Sequence, residues 1–448
     1  ELRNVNLVAA GGGQAILIER ARLERPDPTI MTVEADLGVE ERAVRLEASA
    51  RRPFEGGEIA AIELALELEE DLEQAGTLPE SAGMKLSALR RDGGETRLSV
   101  TANVAGLNLT ASEGERFDVG LSAYTGTGLD KLEISDLSIA VGASRWQFNG
   151  AIGALPAEGA NQDNGYRFEL VSDGSRVAPE GSREPIVTAL ARLSGTMDAD
   201  ARLVSLEELA IRTNAGEAYG QGRFTFEDWH SPGIELDIWV ADLPVGQTKQ
   251  LWPWFAAPEA RNWVHQHLFG GVVTEGRLSV ALPPGRLSSS EPTRSGEVAG
   301  SFSVERVRFD VAGRIPPVRE GIGRVVFDGS IVDVSLESGN VFLGSGRTVA
   351  ASNGTFHIDA SPDKPLIGVL DIDVAGEAAA IMELASYDPI NATGYLDLTP
   401  ADLKGSVSGK IVADIPLEAD VSRDQLEWMV VLDYEDLALA KPFQDYRI

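Results

Sequence analysis

The chain has no cysteine among its 448 residues, which excludes disulfides and thiolate-held metals outright. That absence is compatible with an oxidising compartment without establishing one. Histidine is scarce, with four in all. Basic side chains are also in short supply: 39 Lys and Arg stand against 70 Asp and Glu, a formal charge of −31. Nucleic-acid binding needs a basic footprint, so no nucleic-acid partner is expected. Adsorption to an anionic bilayer surface is disfavoured for the same reason. No run approaches the roughly 18 apolar residues that span a bilayer, and residue 1 does not open a signal peptide. The sequence begins directly in strand-like pattern and ends at LAKPFQDYRI; it is read as part of a longer chain.

What the chain has in quantity is alternation. In IAAIELALELEE, Ile62, Leu64, Leu66 and Leu68 fall on one side, and Glu63, Ala65, Glu67 and Glu69 on the other. RLSVTANVAGLNLTA repeats the pattern with Leu98, Val100, Ala102 and Val104, and VLDIDVAG with Leu370, Ile372 and Val374. SFSVERVRFDVAG carries it through Phe302 and Val304, slips one position, and resumes at Val307, Phe309 and Val311. A helix would space apolar residues by three and four, whereas period two is a strand with one apolar face, the pattern of antiparallel sheets. Arg91-Asp92-Gly93-Gly94, Asn164-Gly165 and the glycines of 338–346 supply tight-turn chemistry between such runs. The expected fold is mainly all-β: a long antiparallel meander.

A weak internal repeat, Leu137-x-Ile139 with Gly150 and Leu209-x-Ile211 with Gly222, reads as strand, turn, strand, the glycine opening the returning strand. Pro/Gly/Ser-rich breaks at 173–185 and 282–297 divide the chain into an N-terminal β segment (1–172), a middle segment (186–282) and a C-terminal segment (297–448).

The middle segment holds an exception, LWPWFAAPEARNWVHQHLFGG, with three of the seven tryptophans (Trp252, Trp254, Trp263) and two of the four histidines (His265, His267). A short helix from about 244 must end at Pro253, which lacks the donor a helix interior needs. Pro258 suits the first turn of a second helix, with Gly270 and Gly271 as its C-terminal caps. On that helix Trp263 and His267 are neighbours, while His265 and His267, two apart, cannot chelate one ion. No metal and no cofactor are expected; the segment reads as aromatic packing of a helical plug or cap on a sheet. GSVSGK (405–410) imitates a phosphate loop but is one residue short and has Ile411 where Ser or Thr should stand, so it reads as a strand. No G-x-S-x-G or H-E-x-x-H occurs, and no enzyme is expected.

The run LPVGQTKQLWPWFAAPEARNWVHQHLFGGVVTEGRLSVAL (243–282) resembles a hallmark of the AsmA-like proteins of Gram-negative bacteria, particularly the YhdP branch. The matching positions are Leu243-Pro244, Trp252-Pro253, Ala260-Arg261 with Trp263, and Gly270-Gly271 with Val273. LKGSVSGKIVADIPL (403–417) resembles the Gly-x-Val-x-Gly strand ending in Pro-Leu of the same family. The likeness covers about 185–448; residues 1–180 share only β character. It implies a periplasmic body anchored to the inner membrane by a helix outside this sequence, with its sheet curled into an elongated open groove. It also implies phospholipid as cargo between inner and outer membranes, outer-membrane or other envelope proteins as further partners, and a small helical insert on the groove, with no catalytic residues.

A one-sided apolar sheet must bury that side against a second sheet, helices or a ligand. From the residues alone a filled sandwich or solenoid serves as well as a groove; the resemblance favours the groove. Its candidate lining is Ile62, Leu64, Leu66, Leu68, Leu98, Val100, Val104, Phe302, Val304, Phe309, Val311, Leu370, Ile372 and Val374. The competing readings are a structural or adhesive β-rod that binds proteins by its acidic exterior, and a polysaccharide binder or enzyme using Trp229 beside Glu227-Asp228.

Overall fold

The computed structural model describes residues 2–8, 15–39, 42–55, 58–68, 81–90, 96–108, 116–125, 131–155, 165–179, 182–227, 230–253, 255–289, 291–310, 314–361, 366–388, 390–393, 398–417 and 427–440. These residues form twenty-four strands in a single sheet. Each strand pairs antiparallel with the next in the chain, from Leu2–Val8 on Ala15–Asp27 to Leu403–Pro416 on Glu427–Leu439. The one irregularity is the two-residue strand Leu268–Phe269, which pairs with Val298–Phe309, while Gly233–Pro244 pairs past it with Val272–Leu282. Among the described residues the first and last strands do not pair with each other, so the sheet is an open meander and not a barrel. Among the described residues the α-helices are α1 (Val245–Leu251), α2 (Pro258–His267) and α3 (Ala378–Ala385).

Register turns the alternation of single strands into a continuous band. Ala35 lies opposite Leu46, Leu46 opposite Leu66, Leu66 opposite Met84, Met84 opposite Ala102 and Ala102 opposite Leu121. Farther along, Leu193 faces Leu209, Gly220 faces Ile238, Ile238 faces Leu278, Leu278 faces Gly300 and Gly300 faces Phe327. A slip of one residue anywhere would turn a strand inside out. Bulges absorb the exceptions. The phase slip between Val304 and Val307 is such a bulge, with Arg306 in the left-handed region (φ 54).

Part of the band is buried without a second sheet. Ala123, Ile134, Phe148, Leu170 and Ala191 come from five successive strands and form one cluster of buried side chains. No helix contributes to that cluster. A flat sheet would leave such a row in water, so the sheet curls around its apolar face and brings neighbouring side chains together. The result is a β-groove, apolar inside and charged outside.

The two composition breaks do not interrupt the sheet. Gly165–Val177 pairs with Val187–Asp198 across the first, and Val272–Leu282 with Val298–Phe309 across the second. The first break starts later than its composition suggests: the strand runs on to Val177 through a bulge that buries the Ser172 and Ser175 hydroxyls 2.6 Å apart. Nor do the repeat glycines open returning strands. Gly150 lies inside Ser144–Ala154 and Gly222 inside Glu217–Thr225, where neighbouring backbone passes close. Of the turn signals, 343–347 forms the expected tight turn, with the Leu343 amide donating to Arg347 O at 2.9 Å. Residues 91–95 lie outside the described residues, as does Asn164.

The 283–297 loop is held by one largely buried ion pair. Arg286 Nε and Nη2 donate to the two oxygens of Glu297 at 2.6 and 2.8 Å, and the Arg294 amide donates to the same carboxylate at 2.7 Å. The Arg286 hydrogen bonds hold the Glu297 carboxyl below the usual carboxylate range. A carboxylate so depressed stabilises the fold above its ordinary pKa and loses that contribution as pH falls through the folded value. Glu297→Gln is expected to cost about 3 kcal/mol at pH 7, since it strands a buried guanidinium. It should also reduce the loss of stability on acidification below about pH 4.5, as read from urea midpoints across pH.

Candidate functional site

The apolar face is the candidate site, and the registers bring the expected lining residues onto it. Ile62, Leu64 and Leu66 lie opposite Ala88, Leu86 and Met84, which in turn lie opposite Leu98, Val100 and Ala102, with Val104 following opposite Ala82. Leu68 ends the same strand opposite Val44; nothing is described of its side chain. Phe302, Val304 and Phe309 join the face opposite Gly276, Val273 and Val318. Leu370, Ile372 and Val374 lie opposite Ala413, Ile411 and Gly409. Val311 lies outside the described residues.

Along its length the face is not uniform. In the N-terminal strands it lies open: Leu23 is 62% exposed, Ile62 45% and Met84 40%. Leu64, Leu66, Leu98, Val100 and Val104 are half-buried. In the centre it is covered, and Phe302 and Val304 are buried. Beyond the centre Phe309, Leu370 and Ile372 are half-buried, and Val374 is buried. On the last strand Trp428, Val430, Leu432 and Tyr434, opposite Ala413, Ile411, Gly409 and Val407, are exposed again.

The central cover is the tryptophan segment. α1 ends at Leu251 and Trp252 is its extended C-cap, just before Pro253. Pro258 opens α2 in the first turn, as its fixed φ favours. The glycines act differently from expectation. α2 ends at His267 with Leu268 already extended, and Gly270 and Gly271 (φ 61 and 69) instead make the turn into Val272–Leu282. A short strand intervenes because Leu268 and Phe269 find partners in Phe309 and Arg308.

Trp252 carries the contact with the floor. Its ring centroid lies 5.3 Å from that of Phe302 and 5.8 Å from that of Phe327, and its Nε1 donates to Ala256 O at 2.7 Å. The floor can lie low because glycines face the rings. A Cβ on Gly276 would meet Phe302 Cδ1 at 2.6 Å, and one on Gly300 would meet Phe327 Cζ at 2.6 Å. α3 covers the next stretch: Ala380 and Leu384 pack with Val318, Val341, Val349, Ala351 and Val374. Trp254 lies outside the described residues.

Polar groups tie the segment down at one side. Lys249, 1% exposed, donates to Glu184 Oε1 at 2.9 Å and to His265 O at 3.4 Å, and its Nζ lies 4.2 Å from the centre of the Phe269 ring. Gln250 Nε2 donates to the carbonyls of Glu184 and Pro185 at 3.1 and 2.9 Å. Arg261, in α2, contributes positive charge beside His265. Composition gave no sign of this contact: Glu184 sits in a stretch that reads as a solvated break, 65 residues from its lysine.

The two histidines do not converge. His267 Nδ1 lies 2.9 Å from Trp263 O and its ring stacks on Trp263 at 5.2 Å, whereas His265 faces Arg261 and Lys249. Among the described residues no three His, Asp or Glu side chains are grouped to hold a metal ion. Asp228 and Trp229, the carbohydrate-site candidates, lie outside the described residues. The chain matches no protein-family model, no curated protein and no solved structure.

Burial, then the charges of Arg261 and Lys249, push the His265 pKa down from 6.5 to about 4. Between those values the unfolded chain binds a proton that the folded segment refuses, so stability falls as pH drops below 6.5. His265→Gln is expected to flatten this dependence. Urea midpoints at pH 7 and pH 5 should differ less in the variant than in the wild-type protein.

Proposed function

We propose that the protein binds phospholipid acyl chains on the apolar face of its groove and conducts lipid between the inner and outer membranes. On this reading it works in the periplasm, held to the inner membrane by a segment outside this sequence. The observation that carries the proposal is the uncovered floor of the N-terminal strands. Leu23, Met31, Ile62 and Met84 are all exposed on one face of the paired strands, with no helix among the described residues over them. Apolar surface that is contiguous over several strands is costly to leave in water and marks a binding face. The groove's one-sidedness suits an amphiphile: chains lie on the floor while head groups stay in solvent, so a net charge of −31 is no obstacle. The resemblance of 243–282 and 403–417 to AsmA-like proteins supports the same reading.

A second reading, a protein-binding rod or outer-membrane assembly scaffold without lipid, is favoured by the filled centre, where Trp252, Phe302 and Phe327 leave no open floor.

Native mass spectrometry with lipid extraction separates the two. Wild-type protein purified gently from a Gram-negative host is expected to carry phospholipid, and Leu66→Asp or Val100→Asp should reduce it at least tenfold while circular dichroism stays β-type. Equal lipid in the folded variants, or a lipid-free wild-type protein, would favour the rod.

A further inference from the structure

Pro244 and Val272 are direct antiparallel partners, the last pair of a hairpin ladder that begins at Ile234 and Leu282. Strands so paired need only a tight turn between them. Instead the described residues of 245–271 stand between them and fold back over the apolar face. Apart from the two-residue strand Leu268–Phe269 on Val298–Phe309, the sheet's register therefore owes nothing to this segment, although the floor's burial does.

The floor beneath resembles the floor left open elsewhere. Ile238, Leu278, Gly300 and Phe327 form one cross-strand row, continuous through Gly220 and Leu209 with the less covered strands before it. Only the cover distinguishes it. That cover combines apolar contact, led by Trp252, with polar fastening that is costly to bury. Lys249 must be desolvated to reach Glu184, and the buried Gln250 Oε1 and His265 Nε2 have no hydrogen-bond partner among the described residues. Neither helix has a side-chain cap, and Ala257 between them is held in the left-handed region at φ 48. Positive-φ residues bracket the segment, Asp242 (φ 51) before it and Gly270 and Gly271 after it. Poor capping, strain and unpaired buried polar atoms are local costs that opening the segment would relieve.

We infer that 245–271 is a displaceable plug, in which Trp252 occupies over Phe302 and Phe327 the place an acyl chain takes when the plug is out. The inference rests on the acyl-binding reading above. It makes the covered floor a second acyl site, released by breaking the Lys249–Glu184 pair.

Photocrosslinking tests it. Benzoylphenylalanine is placed at Leu66, on the open floor, or at Ile238, in the row beneath the plug. Each protein is incubated with phosphatidylcholine vesicles, irradiated and weighed for lipid adducts. Three backgrounds are compared: the intact chain, Trp252→Ala with Glu184→Gln, and a chain in which Asn-Gly replaces 245–271. The expected result is an adduct at Leu66 in all three. At Ile238 the adduct should be weak in the intact chain and at least threefold stronger in the other two. Should the excised chain fail to fold, the double variant decides alone. Adducts at Leu66 but none at Ile238 in any background would overturn the plug and leave the acyl-binding reading standing. Equal adducts at Ile238 in all backgrounds would also overturn it, because the segment would then obstruct nothing. Absence of adducts at both positions would overturn both readings.

Discussion

Everything in this molecule follows from one hydrophobic constraint: the sheet is apolar on one side only and has very little to put against it. The three short α-helices among the described residues cannot cover a face spread over twenty-four strands. Curling brings apolar neighbours into contact and removes part of the surface from water. The half-burial of Leu64, Leu66 and Val100, and the fuller burial of Ile134, Phe148 and Leu170, are two degrees of the same solution. Where curling is not enough, connections are recruited as cover.

That recruitment is orderly. The tryptophan segment leaves from the end of Gly233–Pro244 and the α3 segment from the end of Ile367–Glu377, strands that run the same way in the meander. Both segments therefore project from one edge of the sheet and fold onto one face. Phe309 packs against both of the clusters they cover. The opposite edge contributes Leu287, from the loop that Arg286 and Glu297 fasten. The centre of the groove is thus closed by loops, while its floor keeps the same chemistry throughout.

Much of this is legible in the amino-acid sequence because period two is a strong signal and register propagates it. The face shared by Leu66, Val100, Phe302 and Ile372 follows from alternation plus simple hairpins, and the bulge between Val304 and Val307 shows in the sequence as a break in the alternation. The same rule extends to Leu86, Leu193 and Ile238, which sit in equally regular runs. Other features leave no local trace. Lys249 and Glu184 meet only because the strands between them bring distant positions together. The glycines beneath Phe302 and Phe327 look like turn residues until the facing strand is known. That the first third of the chain continues the same sheet is a matter of hydrogen bonds between strands whose patterns are individually generic.

Near-sequential pairing has a further consequence. Because each strand, apart from the short Leu268–Phe269, pairs along the meander with its neighbours in the chain, the architecture is close to one-dimensional, and its stability is approximately a sum of local terms and nearest-neighbour interfaces. Folding can begin at any tight hairpin and spread both ways, with the connections over 245–271 and 378–405 as the long closures. Evolution can therefore change the reach of such a molecule by duplicating or deleting a hairpin, without redesigning a core. A lesion in one hairpin is correspondingly confined, so neighbouring turns of the meander tolerate damage that would collapse a globular domain of the same size.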